Sequence, residues 1–348
     1  MTLDLMLELA WKSGLIAGTA LAGASLLRAR PAAERVAVLR LGVVMLLALP
    51  LLVALLPALR VQTSAFVGPA ARTVAAVAAP PAAPATAMEA AAPRIEAAST
   101  PPLAASPEWR LDPLAAAAVL WAAGFGFLVL RLLAGVTLLH RWTRRAEPVS
   151  DPRWLAALAR TAQGRTPPVL RASPRVTSPL SWGWRPAIIL LDPAALDLAA
   201  RADAVLAHEM GHVRHGDWLF LMASRLLVAL FWFNPLVWIL QRELARQSEQ
   251  AADAWAAGRI GRADYATALV AMAARGRPHA ALGMAAPRGE LARRVMAIMT
   301  ASAGGGKPWR AALTLATCLG FATPLAAIEL SPAVMASALP SRLQPAAV

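Results

Sequence analysis

At 348 residues, 58% hydrophobic and a mean hydropathy of +0.53, the chain is too apolar for an ordinary soluble domain. Its length suits one catalytic domain plus several membrane spans, and the lone Cys318 excludes a disulfide framework and a cysteine-based metal site. Of the net charge of +14, +11 falls between His140 and Arg310. No nucleic-acid-binding motif accompanies that charge, so we expect no direct nucleic-acid contact and a basic face turned toward anionic lipid headgroups.

Leu5 to Leu27 reads as a first membrane helix, with Glu8 and Lys12 paired one turn apart. Asp4 and Glu8 stand where a secretory signal would carry basic residues, which argues against a leader. Arg28, Arg30 and Arg35 follow in a short cytoplasmic loop around Pro31. Val36 to Leu59 is a second span, about 36 Å long at the helical rise. Residues 60–112 are rich in Ala and Pro, as in VAAPPAAPATAMEAAAP, and are expected to form a disordered extracytoplasmic loop. Pro113 to Leu139 is the third span, with Arg131 placed to reach the interface near Arg141, Arg144 and Arg145.

A mixed α+β domain is expected over 140–310. Pro152 to Gln163 has an amphipathic helical pattern, and Val169–Val176 and Ala187–Leu191 read as strands around the turn-rich SPLSWGWRP. Asp203 to His215 forms a helix that Gly216 ends. Asp217 to Leu240 is apolar enough for a span. A single crossing would separate the residues before it from those after it, and Asn234-Pro235 breaks its later part. It is expected as a buried or half-immersed helix whose kink turns the chain back. Arg242–Ala257, Tyr265–Ala274 and Glu290–Met299 read as further helices, with a hinge at Gly304–Gly306. Residues 311–330 are the fourth span and 331–348 a short extracytoplasmic tail.

The chemistry sits in LAHEMGHVRHGDW, Leu206 to Trp218. On a helix His208 and His212 lie on one face and can present two imidazoles to one ion, while Glu209 reaches a water on that ion. A catalytic zinc then needs one more protein ligand and an open position. His215 lies about 10 Å along the axis from His208, too far to share the ion, and reads as a residue behind the ligands or at the surface. Glu249, in the Ala-rich SEQAADAW, is the better third ligand, with Glu243 the alternative. A pairing of Glu249 with Arg246 or Arg242 is the non-metal reading of the same residue. Asp253, one turn beyond Glu249, is placed to accept an imidazole N–H.

HEMGHVRHGDW, FWFNPLVWIL and EQAAD, in that order, resemble the membrane-bound zinc metallopeptidases of the BlaR/MecR antirepressor type, gluzincins whose third zinc ligand is Glu. The likeness covers roughly residues 165–299 and the four-span layout. It implies one catalytic Zn2+ on His208, His212 and Glu249, with Glu209 as base and Asp253 supporting a ligand. Ala252 stands where the family often has Cys. The fold class expected is therefore a mainly α membrane protein of four transmembrane helices, with a gluzincin-like zinc peptidase domain between the third and fourth. BlaR and MecR carry a C-terminal penicillin-binding sensor domain, which is not expected here.

The function implied is endopeptidase cleavage of a cytoplasmic or membrane regulatory protein, by family analogy a BlaI/MecI-like transcriptional repressor. Two other readings stay open: a quality-control membrane metalloprotease of the HtpX kind, and a non-proteolytic transducer retaining the zinc fold. By the positive-inside rule the peptidase domain faces the cytoplasm of a bacterial inner membrane, with both termini outside. The partners expected are the bilayer, a protein substrate and, as one arrangement, a second copy of the chain.

Overall fold

In the computed structural model, which describes residues 3–55, 59–63, 113–197, 199–273, 288–300 and 328–332, two N-terminal helices start the chain. Helix α1 spans Leu3–Leu26 and α2 spans Ala32–Leu55. Lys12 is paired with Glu8 as the four-residue spacing requires. Strand β1, Leu59–Thr63, pairs in parallel with the last described element, β6 at Ile328–Pro332. Helix α3 spans Pro113–Arg145. It leads into a four-stranded sheet built from β2 (Glu147–Pro148), β3 (Val169–Ala172), β4 (Leu180–Trp182) and β5 (Ile188–Leu191), in the order β2-β3-β5-β4. Helix α4, Pro152–Ala162, packs beneath it, capped by the Asp151 carboxylate on the Arg153 amide. After a short α5 (Pro193–Leu196) come α6 (Ala202–His215), α7 (Asp217–Leu230), α8 (Pro235–Ile260), α9 (Arg262–Ala273) and α10 (Arg288–Thr300).

Among the described residues two helices are long and apolar enough to cross a membrane, α2 over Ala32–Val53 and α3 over Leu114–Arg145. The expected second span ends at Leu55 rather than Leu59, because the chain passes into β1, and the third continues unbroken to Arg145. Of the expected fourth span, 311–327 lie outside the described residues and 328–330 belong to β6, where apolar and polar residues alternate. The 60–112 loop beyond Thr63, the 304–306 hinge and most of the tail also lie outside them.

The apolar stretch from Asp217 to Leu240 departs from the expected single kinked helix. It is two helices, α7 and the start of α8, joined at Phe231–Asn234, and α8 runs on through the segment read as a separate helix at 242–257. The reason is local. Asn234 has extended φ and ψ, and its side-chain oxygen accepts from the Leu236 amide, so Pro235 occupies the first turn of a helix rather than ending one. The expected reversal of the chain holds. The hairpin packs its apolar face on α1 and α2, in a core that includes Leu39, Leu46, Leu227, Val237 and Leu240. Its tip keeps its polar groups satisfied: Asn234 Nδ2 donates to Ser13 Oγ at 2.9 Å, and Trp121 Nε1 donates to the Leu230 carbonyl at 3.1 Å.

A second core lies between sheet and helices, where Trp154, Ile189, Leu191, Leu206 and Met210 meet. Helix α6 crosses α8 closely because Gly211 faces Ala252: a Cβ on Gly211 would stand 3.1 Å from the Ala252 Cα and 3.3 Å from its carbonyl oxygen. Those are backbone atoms and cannot swing aside. Gly211→Val is expected to cost about 1–3 kcal/mol by overpacking, lowering the thermal midpoint on the order of 5 °C in a circular dichroism melt.

Candidate metal centre

Helix α6 carries His208, Glu209 and His212, and α8 brings Glu249 opposite them. The two imidazole Nε2 atoms are 3.3 Å apart, with Glu249 Oε1 3.4 Å from that of His212 and Oε2 3.6 Å from that of His208. Ligand atoms around a tetrahedral ion with bonds of about 2.0–2.1 Å stand roughly 3.3–3.4 Å apart, so the two imidazoles have the spacing of ligands to one zinc-sized ion, and Glu249 presents an oxygen to each. Glu209 is buried and lines the same cleft of about 420 Å3. Glu243, the alternative ligand, is engaged elsewhere: Arg246 and Gln247 donate to its carboxylate at 2.5–2.8 Å. Arg246 is thus paired with Glu243, and the guanidinium nearest Glu249 among the described ion pairs is that of Arg294, at 3.9 Å.

Each imidazole is held from behind. Asp253 Oδ1 lies 3.1 Å from His208 Nδ1 and accepts from Tyr265 Oη at 2.7 Å, and that hydroxyl is itself 2.9 Å from Nδ1. Arg294 of α10 closes the other side of Asp253 with two bonds of 2.7 and 2.8 Å. His212 Nδ1 meets Asp217 Oδ2 at 2.6 Å, and Asp217 in turn is ion-paired with Arg40 of α2. With its Nδ1 engaged from behind, each imidazole turns its Nε2 toward Glu249, and that is the nitrogen an ion would take in exchange for the proton.

Asp253 lies one turn beyond Glu249 and beside His208 Nδ1. Asp217, Tyr265 and Arg294 carried no site role in the sequence reading. The role expected of His215, behind the ligands, falls to Asp217. The His215 imidazole does not line the cleft, its buried Nδ1 has no hydrogen-bond partner among the described residues, and its carbonyl accepts from Arg40 at 2.7 Å. The cause is Gly216, which ends α6 with φ 66° and turns the chain so that Asp217, not His215, faces His212. Asp217 was legible as the first acid after the helix stop.

One wall of the cleft is β4 with Ser178 and Pro179. Among the described residues this strand pairs with β5 alone and forms the sheet edge. It falls inside the segment read as turn-rich, while the expected strands became β3 and β5 in the sheet interior.

The electrostatics suit a cation. Burial alone would lower both imidazoles, but carboxylates outweigh it: Asp253 and Glu249 raise His208 to about 9, and Asp217 and Glu249 raise His212 to about 10. Burial likewise opposes the charge on Glu249, yet the facing imidazoles hold its carboxyl far below the usual range. Asp253, against the same opposition from burial, is held at about 2 by His208 and Arg294.

Two imidazoles, a carboxylate and an adjacent glutamate around one point in a cleft make a centre of the metallopeptidase type. The family model for the BlaR1 peptidase M56 matches residues 34–298, and the chain belongs to that family. It is also similar to the regulatory protein BlaR1 of Bacillus licheniformis, at 37% identity over 86 residues, which cover 24% of this chain and 14% of that protein.

Below about pH 9 both imidazoles hold a proton on the nitrogen an ion must take, so metal uptake near pH 7 should release close to two protons per ion. Apparent affinity should then rise with pH and level off above about 10, as calorimetry in buffers of different ionisation enthalpy will show. Tyr265→Phe, which removes the hydroxyl shared by Asp253 and His208, should weaken zinc binding about tenfold in a chelator competition.

Proposed function

We propose that the chain is a membrane-bound zinc endopeptidase that cleaves a regulatory protein, with His208, His212 and Glu249 holding the ion and Glu209 acting as the base. The observation that carries this reading is the set of ligand atoms spaced for one ion, with Glu209 in the same cleft. Zinc held there would acidify a water and polarise the scissile carbonyl. Glu209 takes the proton of the attacking water and returns it to the departing amine. Asp253 and Asp217 keep the two imidazoles in the tautomer that leaves Nε2 free. An extended substrate segment would add to the free edge of β4, its main chain hydrogen-bonding alongside the cleft.

A transcriptional repressor is the substrate class that the antirepressor resemblance implies. The reading that the domain faces the cytoplasm of an inner membrane is supported by where the basic residues sit. Arg35, at the start of α2, donates to Gln250 beside Glu249, so the Arg28–Arg35 turn lies on the site's side of the bundle. The basic end of α3, with Arg144 and Arg145, enters the sheet on the same side.

The test is zinc content together with cleavage of an unstructured protein such as casein. Wild type and Glu209→Gln should both hold near-stoichiometric zinc, with hydrolysis by Glu209→Gln down by about 10²–10⁴-fold. His208→Ala and Glu249→Ala should lose the metal. Full zinc in Glu249→Ala would remove that residue from the ligand set, and an active Glu209→Gln would remove the base.

A further inference from the structure

Of the two guanidinium groups that stand behind the imidazoles, Arg294 belongs to the peptidase helices, but Arg40 belongs to α2, one of the two helices fit to span a membrane. Arg40 lies more than two turns into that helix, where a cation among apolar residues is costly unless it is paired. Among the described residues its contacts converge on the start of α7 and the end of α6. Nη1 donates to the carbonyl of His215, the last residue of α6, at 2.7 Å. Nη2 pairs with the carboxylate of Asp217, the first residue of α7. The guanidinium also lies over the Phe220 ring, 4.4 Å from its centroid. Asp217 is 2% exposed, and its second oxygen holds His212 Nδ1 at 2.6 Å.

We propose that Arg40 is a positioning residue for the metal centre, acting through Asp217 on His212, so that metal affinity depends on α2 staying docked against α7. The inference rests on the metal-centre reading above. Its geometry is a fork: one arm fixes the carbonyl before Gly216 and the other fixes the carboxylate after it, so the turn between them is clamped. A clamped turn holds Asp217 at the one angle from which it meets Nδ1 of His212. A side chain that only filled space between α2 and α7 could be apolar; a planar donor pair at this place serves orientation.

The experiment measures zinc affinity by chelator competition on the detergent-solubilised full chain, for wild type, Arg40→Gln, Arg40→Lys, Asp217→Asn and the Arg40→Gln/Asp217→Asn double variant. Arg40→Gln should weaken zinc binding by about 10–100-fold. Arg40→Lys, which keeps the charge but loses the fork, should lie between it and wild type. In the Asp217→Asn background Arg40→Gln should cause no further loss, because the path through Asp217 is already cut. Unchanged affinity in folded Arg40→Gln, or an equal loss in both backgrounds, overturns the inference while leaving the metal centre standing. Should Arg40→Gln fail to fold, wild-type affinity in Arg40→Lys overturns it in the same way. Wild type that takes up no zinc overturns both.

Discussion

The reversal of the chain at Phe231–Asn234 is the constraint on which the rest depends. The histidines of α6 and the glutamate of α8 are separated by an apolar stretch long enough to carry the chain across a bilayer, which would leave them on opposite faces. Asn234 prevents this by capping a new helix with its own side chain while its amide nitrogen reaches Ser13 on α1. The hairpin that results covers its apolar surface against α1 and α2, which cover theirs against it. Helices α1 and α2 and the hairpin that leads to Glu249 therefore share one core. The close crossing of α6 and α8 at Gly211 and Ala252 then sets the distance between the ligands.

Burial and charge are in tension throughout the site. Asp217 and Asp253 are buried, and each carboxylate is stable there only because it has both an imidazole and a guanidinium. Removing one member of such a buried pair costs roughly 3–5 kcal/mol, because the remaining charge is stranded. The arrangement thus stabilises the fold weakly when complete and penalises it strongly when broken. That asymmetry suits a centre whose parts come from distant segments.

How much of this was legible in the sequence divides by range. His208, Glu209 and His212 lie within one helix, where the period of 3.6 residues fixes their relation, and Glu249 with Asp253 is another such pair. The turn-back at Asn234-Pro235 was legible as a topological requirement, although the cap that makes Pro235 a beginning rather than an end depends on the Asn234 backbone angles. What was hidden depends on tertiary contact. Arg40 and Arg294 sit on helices of their own, and nothing local tells which carboxylate each will meet. Strand β4 was masked by Pro179 and Gly183 at its ends, and it exists only because β5 is there to pair with it. His215 read as nearer the chemistry than it is, since a seven-residue spacing keeps it on the helix face while the turn at Gly216 substitutes Asp217.

Helix α3 continues from its apolar part to Arg145 without a break, and the sheet begins two residues later. Arg171 of β3 donates to the carbonyls of Thr143 and Ala146, tying the helix end to the sheet. His140 meets the Trp182 ring edge-on at 6.3 Å, and Trp182 in turn meets Trp218 of α7. The last turns of the membrane-length helix, with Leu139, His140 and Trp142, are thus packed directly against Trp182 of β4, so the helix end and the wall of the cleft share one cluster of side chains.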